Sequence, residues 1–287
     1  MRIPSIMSVM MCILDVAFNY IFIFILHLGV MGAAIGTAIA IFIGAICQAY
    51  FAILKNKILN LKQDSGNFQW IWEYIQNALK IGSPMALQSI LMGGAQIISI
   101  TIVAPLGNIA IAANTFAITA ESLCYMPGYG IGDAATTLVG QSTGARRLDI
   151  CKSFAWMTIG TGMLIMALMG FLMYIWAPEL MGLLSPIEEI MTLGADCLRI
   201  EAFAEPMFAA AIISYSVCIG AGDTLKPAAI NLFSMWCIRL TLAAYLAKDY
   251  GLKGVWTAMA IELTLRGLLF IIRIYRGKWM KDMVSNT

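Results

Sequence analysis

The stretch SFAWMTIGTGMLIMALMGFLMYIWA, residues 153–177, runs 25 residues without a charge, between Lys152 and the Pro178-Glu179 step. As an α-helix rising 1.5 Å per residue it would measure about 37 Å, enough to cross a hydrocarbon layer of about 30 Å with some tilt. Such a run predicts a membrane span. The rest of the chain agrees, because 61% of its 287 residues are hydrophobic and only 12% are charged, against about 25% charged in soluble domains. With a mean hydropathy of +0.84, the solvent for most of this protein is lipid.

Reading every run of similar kind as a helix, the sequence predicts an all-α polytopic membrane protein with eight spans. They lie at about 4–27, 30–54, 77–104, 109–140, 152–177, 187–218, 225–247 and 252–275. Gly, Pro and charged residues separate them, as at Leu28-Gly29, Pro105 to Asn108, Pro178 to Pro186 and Gly220 to Pro227. Thirteen of the 18 basic residues, among them Arg2, Lys55, Lys80, Arg146, Arg147, Lys226 and Arg273, fall on the side that also holds both termini. Positive loops stay inside, so both termini are predicted to be cytoplasmic in a plasma-membrane protein. Trp70, Trp72 and Tyr74, beside this basic stretch, suit a short amphipathic segment at the inner interface.

The second span opens Gly29-Val30-Met31-Gly32 and the eighth opens Gly251-Leu252-Lys253-Gly254. If these hairpins are equivalent members of an internal repeat, spans three to eight form one complete six-helix lobe and spans one and two are the last hairpin of another. The expected domains are therefore 1–54 as the end of an N-terminal lobe, 55–76 as a cytoplasmic linker, 77–275 as the C-terminal lobe and 276–287 as a tail. Four further helices, supplied upstream or by a partner lobe, are expected to complete the pair around a central cleft.

An ionisable group in mid-span costs about 2.5–3.5 kcal/mol on insertion scales, so each needs a partner or a wet cavity. Asp15 and Asn19 lie one turn apart on one face. Glu201 and Glu205 repeat that spacing, followed by Pro206, which should kink the sixth span. Pro127 with Gly128 makes the fourth span breakable in the same way, and Glu121 lies less than two turns before Pro127. Glu262 and Arg266 can neutralise one another at i, i+4. Arg239 either snorkels outward or meets an anion. Gly220 to Thr224 reads as a tight turn with Asp223 or Thr224 as a helix N-cap.

The seven scattered cysteines and the lone His27 give no metal-ligand spacing, and they are expected to be buried thiols. No metal, no cofactor and no catalytic group is predicted, and there is no basic stripe for nucleic acid.

These stretches resemble the multidrug and toxic compound extrusion (MATE) family, from its fifth to its twelfth helix. The resemblance rests on Leu14 to Asn19 with Gly29 to Thr37, Lys80 to Pro84, Pro127 to Gly144, Glu205-Pro206, Gly220 to Thr224 and Gly251 to Trp256. It implies a secondary antiporter that exports amphipathic or cationic compounds in exchange for protons or sodium ions. The family's Asn and Asp in its fifth helix look swapped here, as Asp15 and Asn19, with Thr37 in place; its seventh-helix Glu is replaced by Met92. The residues expected to carry the coupling ion are thus Asp15, Asn19, Thr37, Glu121 and Glu205. Met92, Tyr125, Glu201 and Met207 are expected on the substrate cleft, and Pro127, Gly128 and Pro206 at hinges. Adaptable methionines such as Met85 and Met126 suit such a pocket. Two other readings stay open: a lipid-linked oligosaccharide flippase of the same superfamily, which would use Arg199, Arg239 and Arg266, and a truncated fragment that does not transport.

Overall fold

The computed structural model describes residues 2–55 and 72–280. The chain divides into two units, Met1–Ile71 and Trp72–Thr287. Among the described residues every regular element is a helix.

The first unit is a helical hairpin. Helix α1 (Arg2–Tyr20) runs on through a wide π turn at Ile21–Ile25, and α2 (Gly29–Tyr50) ends in another at Phe51–Lys55. The turn between them uses positive φ at His27 and Gly29. Gly32, Gly36, Ala40 and Gly44 recur every fourth residue and form the buried stripe of α2. A Cβ on Gly32 would sit 2.8 Å from the Phe22 carbonyl oxygen. Lipid gives little apolar drive for helices to associate, so small residues that let two backbones approach are what hold the pair together. The linker with Trp70 lies outside the described residues, while Trp72 and Tyr74 are exposed on the next helix.

The second unit is a bundle. Its helices are α3 (Trp72–Val103), α4 (Asn108–Gly144), α5 (Leu148–Ile175), α6 (Ala177–Leu184), α7 (Glu188–Ala202), α8 (Glu205–Gly220), α9 (Leu225–Phe233) and α10 (Leu240–Tyr275). Helix α5 holds nearly all of the uncharged stretch quoted above. Helices α7 and α8 meet at a 60° bend; Pro206 sits in the first turn of α8, where a missing N–H costs nothing. A π turn, Ser234–Arg239, joins α9 to α10.

Six described stretches are long and apolar enough to cross a bilayer, seven with the bent pair counted as one. The sequence-based count of eight divides one of them, Leu225–Tyr275, at Gly251, where φ 58° and ψ −137° leave the helical region. The two Gly-x-x-Gly stretches share a local geometry. Gly29 and Gly251 both have φ near 57°, and Gly32 and Gly254 both abut a backbone carbonyl of the segment before that glycine, of Phe22 in the π turn and of Leu246 in the first part of α10.

Small residues line the bundle core: Ala113, Ala117, Ala120 and Cys124 of α4, and Ala209, Ala210 and Ala211 of α8. Trp256, Phe270, Met173 and Met181 fill what remains. Large apolar side chains such as Leu164 and Ile90 point outward instead, as a lipid solvent permits. Four of the cysteines are buried, but Cys12 and Cys237 are exposed. Of the two N-cap candidates, Thr224 holds the N-cap position of α9, without a side-chain cap bond, while Asp223 is buried and ion-paired with Arg273 from the far end of α10. The tail begins folded, with Trp279 at 0% exposure and its Nε1 donating to the Ile274 carbonyl at 3.2 Å.

Candidate functional site

Helix α4 places Asn114, Ile118, Glu121, Tyr125 and Tyr129 on one face, at the three- and four-residue steps that bring side chains into line. Opposite stand Trp256, Met259, Leu263 and Arg266 of α10, Met235 and Arg239 of the π turn, and Met92, Gln96 and Ser99 of α3. Together they enclose a cavity of about 220 Å³ within the bundle. One wall is polar and ordered, since Trp256 Nε1 donates to Asn114 Oδ1 at 3.0 Å. Another is aromatic: the Tyr125 ring meets those of Tyr129 and Phe208 edge-on, at 5.7 and 5.9 Å between centroids.

The charges around this space differ in how they are matched. Arg266 Nε lies 3.2 Å from Glu262 Oε1, which also accepts a 2.6 Å hydrogen bond from Ser234 Oγ. The guanidinium of Arg266 stands over the Phe208 ring at 5.7 Å. The i, i+4 pair expected in the last span is therefore formed and further braced. Arg239 differs, in that its Nη2 touches the Met259 sulfur, a weak acceptor, and among the described residues it makes no ion pair. Glu121, though only 5% exposed, lines the cavity and is likewise unpaired there.

The other predicted residues fall in three places. Asp15, Asn19 and Thr37 come together in the hairpin, where Asn19 Nδ2 donates to Asp15 Oδ1 at 3.2 Å and to Thr37 Oγ1 at 3.4 Å. Asn19 Oδ1 is buried without a partner, so the cluster holds oxygen ligands of the kind hard cations take. Met92 and Tyr125 line the bundle cavity, whereas Glu201 and Met207 do not. Glu201 and Glu205 are both 0% exposed, flanking the bend between α7 and α8, and neither oxygen of either has a hydrogen-bond partner among the described residues. Glu201 is fully buried near the end of α7, beside the bend, and Met207 packs its backbone against Gly267 of α10.

Of the hinge residues, Pro206 stands at a real break. Pro127 does not, because α4 continues through it from Asn108 to Gly144. Gly128 beside it is a packing site: a side chain there would run into the Met166 sulfur of α5. Reading the sequence alone left out Asn114, Gln96, Ser99 and Trp256. Asn114 carried a usable signal, since an amide inside an apolar run needs a partner. The π turn that aims Arg239 inward leaves no comparable mark.

The MatE family model matches residues 84–245. The chain belongs to the MatE family. Among its curated relatives, the probable multidrug resistance protein NorM of Thermotoga maritima is 26% identical over 289 residues, which cover 99% of this chain and 62% of that protein. The uncharacterized transporter YisQ of Bacillus subtilis is 27% identical, over 94% of this chain and 60% of its own. A crystal structure of MATE in complex with MaL6 superposes with a TM-score of 0.86 at 19% identity, covering 98% of this chain and 63% of that one. The chain thus spans about three fifths of the length of the relatives it matches.

Proposed function

We propose that this MatE chain is the greater part of a secondary antiporter that exports amphipathic organic cations across the plasma membrane, driven by inward flow of protons or sodium ions. The observation that carries the reading is Glu121, an acid held at an open cavity inside a bundle of apolar helices. Membrane cost rules out a carboxylate there without a task or a partner, and a positively charged solute or ion supplies the partner. The aromatic and methionine wall fits the apolar body of such a solute without demanding one shape.

Coupling is assigned to two groups. The Asp15, Asn19 and Thr37 cluster offers a carboxylate and a free amide oxygen to a cation, and Glu205 is a buried acid at a helix break, where backbone groups are free to rearrange. One charge moving down about 100 mV supplies roughly 2.3 kcal/mol, which sustains a solute gradient of about 50-fold. The basic residues of the loops favour both termini in the cytoplasm.

The flippase reading needs several unpaired guanidiniums for a pyrophosphate. Arg266 is committed to Glu262, and Arg199 stands beside Asp196 and over the Tyr174 ring. Arg239 alone remains among the three.

The test is ethidium efflux from a pump-deficient bacterial host expressing the full gene, with the proton and the sodium gradients collapsed in turn. Efflux should stop with one collapse and not the other, and Glu121→Gln should abolish it. Efflux at the wild-type rate from Glu121→Gln, or efflux indifferent to both gradients, would remove the proposal.

A further inference from the structure

At the end of the bundle where α5 stops and α10 breaks at Gly251, three charged side chains meet, away from the cavity described above. Lys253 Nζ lies 2.6 Å from Asp196 Oδ2, while Arg199 Nη1 reaches the other oxygen of that carboxylate only at 4.0 Å. Two partly exposed cations thus share one carboxylate, and the set keeps an excess of positive charge. The Arg199 guanidinium stands over the Tyr174 ring at 5.8 Å, and that ring meets Phe203 edge-on at 5.6 Å. Tyr174, Trp176 and Tyr250 are all exposed at this end, as in the aromatic belt that marks the headgroup level of a bilayer.

From this set toward the middle of the span runs a groove of about 330 Å³, open along its length. Phe203 and Ala204, at the break between α7 and α8, line it together with Thr257, Ala260, Thr264 and Leu265 of α10. Both threonine hydroxyls donate to carbonyls of their own helix, those of Lys253 and Ala260, so the groove asks nothing polar of its occupant. It starts one helical turn from each cation, since Thr257 follows Lys253 and Phe203 follows Arg199 by four residues. From Lys253 to Leu265 the helix rises about 18 Å, close to the roughly 15 Å of hydrocarbon in one leaflet.

We propose that the groove holds an acyl chain of an anionic phospholipid whose phosphate is met by Arg199 and Lys253. The guanidinium offers N–H groups that match phosphate oxygens, and the groove carries the chain to about mid-membrane. A small anion would use the cations and leave the groove empty; a lipid without net charge would fill the groove and gain nothing from the charge excess. On the orientation proposed above, the leaflet is the outer one.

The experiment titrates the full-length protein, purified in detergent, with phosphatidylglycerol or with phosphatidylcholine of the same two acyl chains, and counts bound lipids by native mass spectrometry. The anionic lipid should bind at least about five-fold more tightly, the scale of one net basic residue at an anionic headgroup. Arg199→Gln should bring it to the level of phosphatidylcholine, and Arg147→Ala, at the opposite end of α5, should leave the preference intact. Thr264→Phe, which fills the groove at an exposed position, should weaken both lipids alike. Equal binding of the two lipids to the wild-type protein would overturn the proposal, as would a preference that survives Arg199→Gln or is lost in Arg147→Ala. Displacement of the lipid by an equal concentration of glycerol 3-phosphate would overturn it too, by showing an anion site without a chain. Should Arg199→Gln fail to purify as a single species, Lys253→Gln takes its place with the same expectation. Binding is read without transport, so a failure of ethidium efflux would sink only the export reading and a missing lipid preference only this one.

Discussion

Glu262 with Arg266, and Glu121 with Arg239, are two carboxylate and guanidinium sets in one bundle, and they are held in opposite ways. The first lies on successive turns of a single helix, so local geometry brings the charges together and Ser234 adds a hydrogen bond to Glu262 Oε1, while Glu262 Oε2 and Arg266 Nε are left without a hydrogen-bond partner among the described residues. The second is drawn from two elements more than a hundred residues apart and is left open to a shared cavity. The contrast teaches that neutralisation within one helix is structural, whereas charges that the fold keeps apart across a void are available to a solute.

Breaking the ion-paired set should have the largest effect. Glu262→Ala strands a buried guanidinium, and the loss should be about 3–5 kcal/mol, read as a fall in the thermal midpoint of the detergent-solubilised chain. Replacing both partners together, Glu262→Leu with Arg266→Met, should recover most or all of that loss. A control without charge comes next. Gly267 abuts the Met207 backbone of α8, so Gly267→Ala should cost about 1–3 kcal/mol through overpacking, and a midpoint equal to wild type would show that α10 has slack there.

The open set should behave otherwise. Arg239→Gln should lower the midpoint by less than Glu262→Ala, because the guanidinium makes no ion pair among the described residues although Glu262, Glu201 and Glu121 face it; a fall as large as that of Glu262→Ala would mean the two sets are alike after all. A double-mutant cycle of Glu121→Gln and Arg239→Gln should accordingly give a smaller coupling energy than the same cycle at Glu262 and Arg266. The smallest effect belongs to the exposed pair Arg147 and Asp149, whose 3.2 Å contact is open to solvent; Arg147→Ala should be indistinguishable from wild type by the same measurement.

The fold was legible wherever one residue type decides a local outcome. Long uncharged runs such as 153–177 dictate helices because lipid offers the backbone no other partner. Glycines at 29 and 251 mark turns because only a left-handed or extended backbone leaves the helix there. The i, i+4 pair at 262 and 266 followed from periodicity alone, and so did the grouping of Asp15 with Asn19. What the sequence hid depends on which way a helix faces. Pro127 and Pro206 look alike as breakers, yet α4 is clamped by its neighbours through Gly128 and stays whole while α8 begins anew. Glu201 and Glu121 are both acids buried within apolar helices, but only Glu121 lines the cavity, a difference that residue type and spacing do not reveal. Arg239 could not be placed, because nothing in composition signals the change of helical pitch before it.

That pitch change has a consequence for how the chain compares with its relatives. An i→i+5 turn accommodates one residue more than an ordinary helix needs between the same two end points, so 234–239 has the geometry of a single-residue insertion. Deleting Cys237 would let the ladder close in the common register and rotate every later side chain of the turn by about 100°, carrying the guanidinium off the cavity wall while keeping it in the polypeptide. A relative aligned with a one-residue gap at this point would then be a natural version of the protein with its arginine pointed elsewhere.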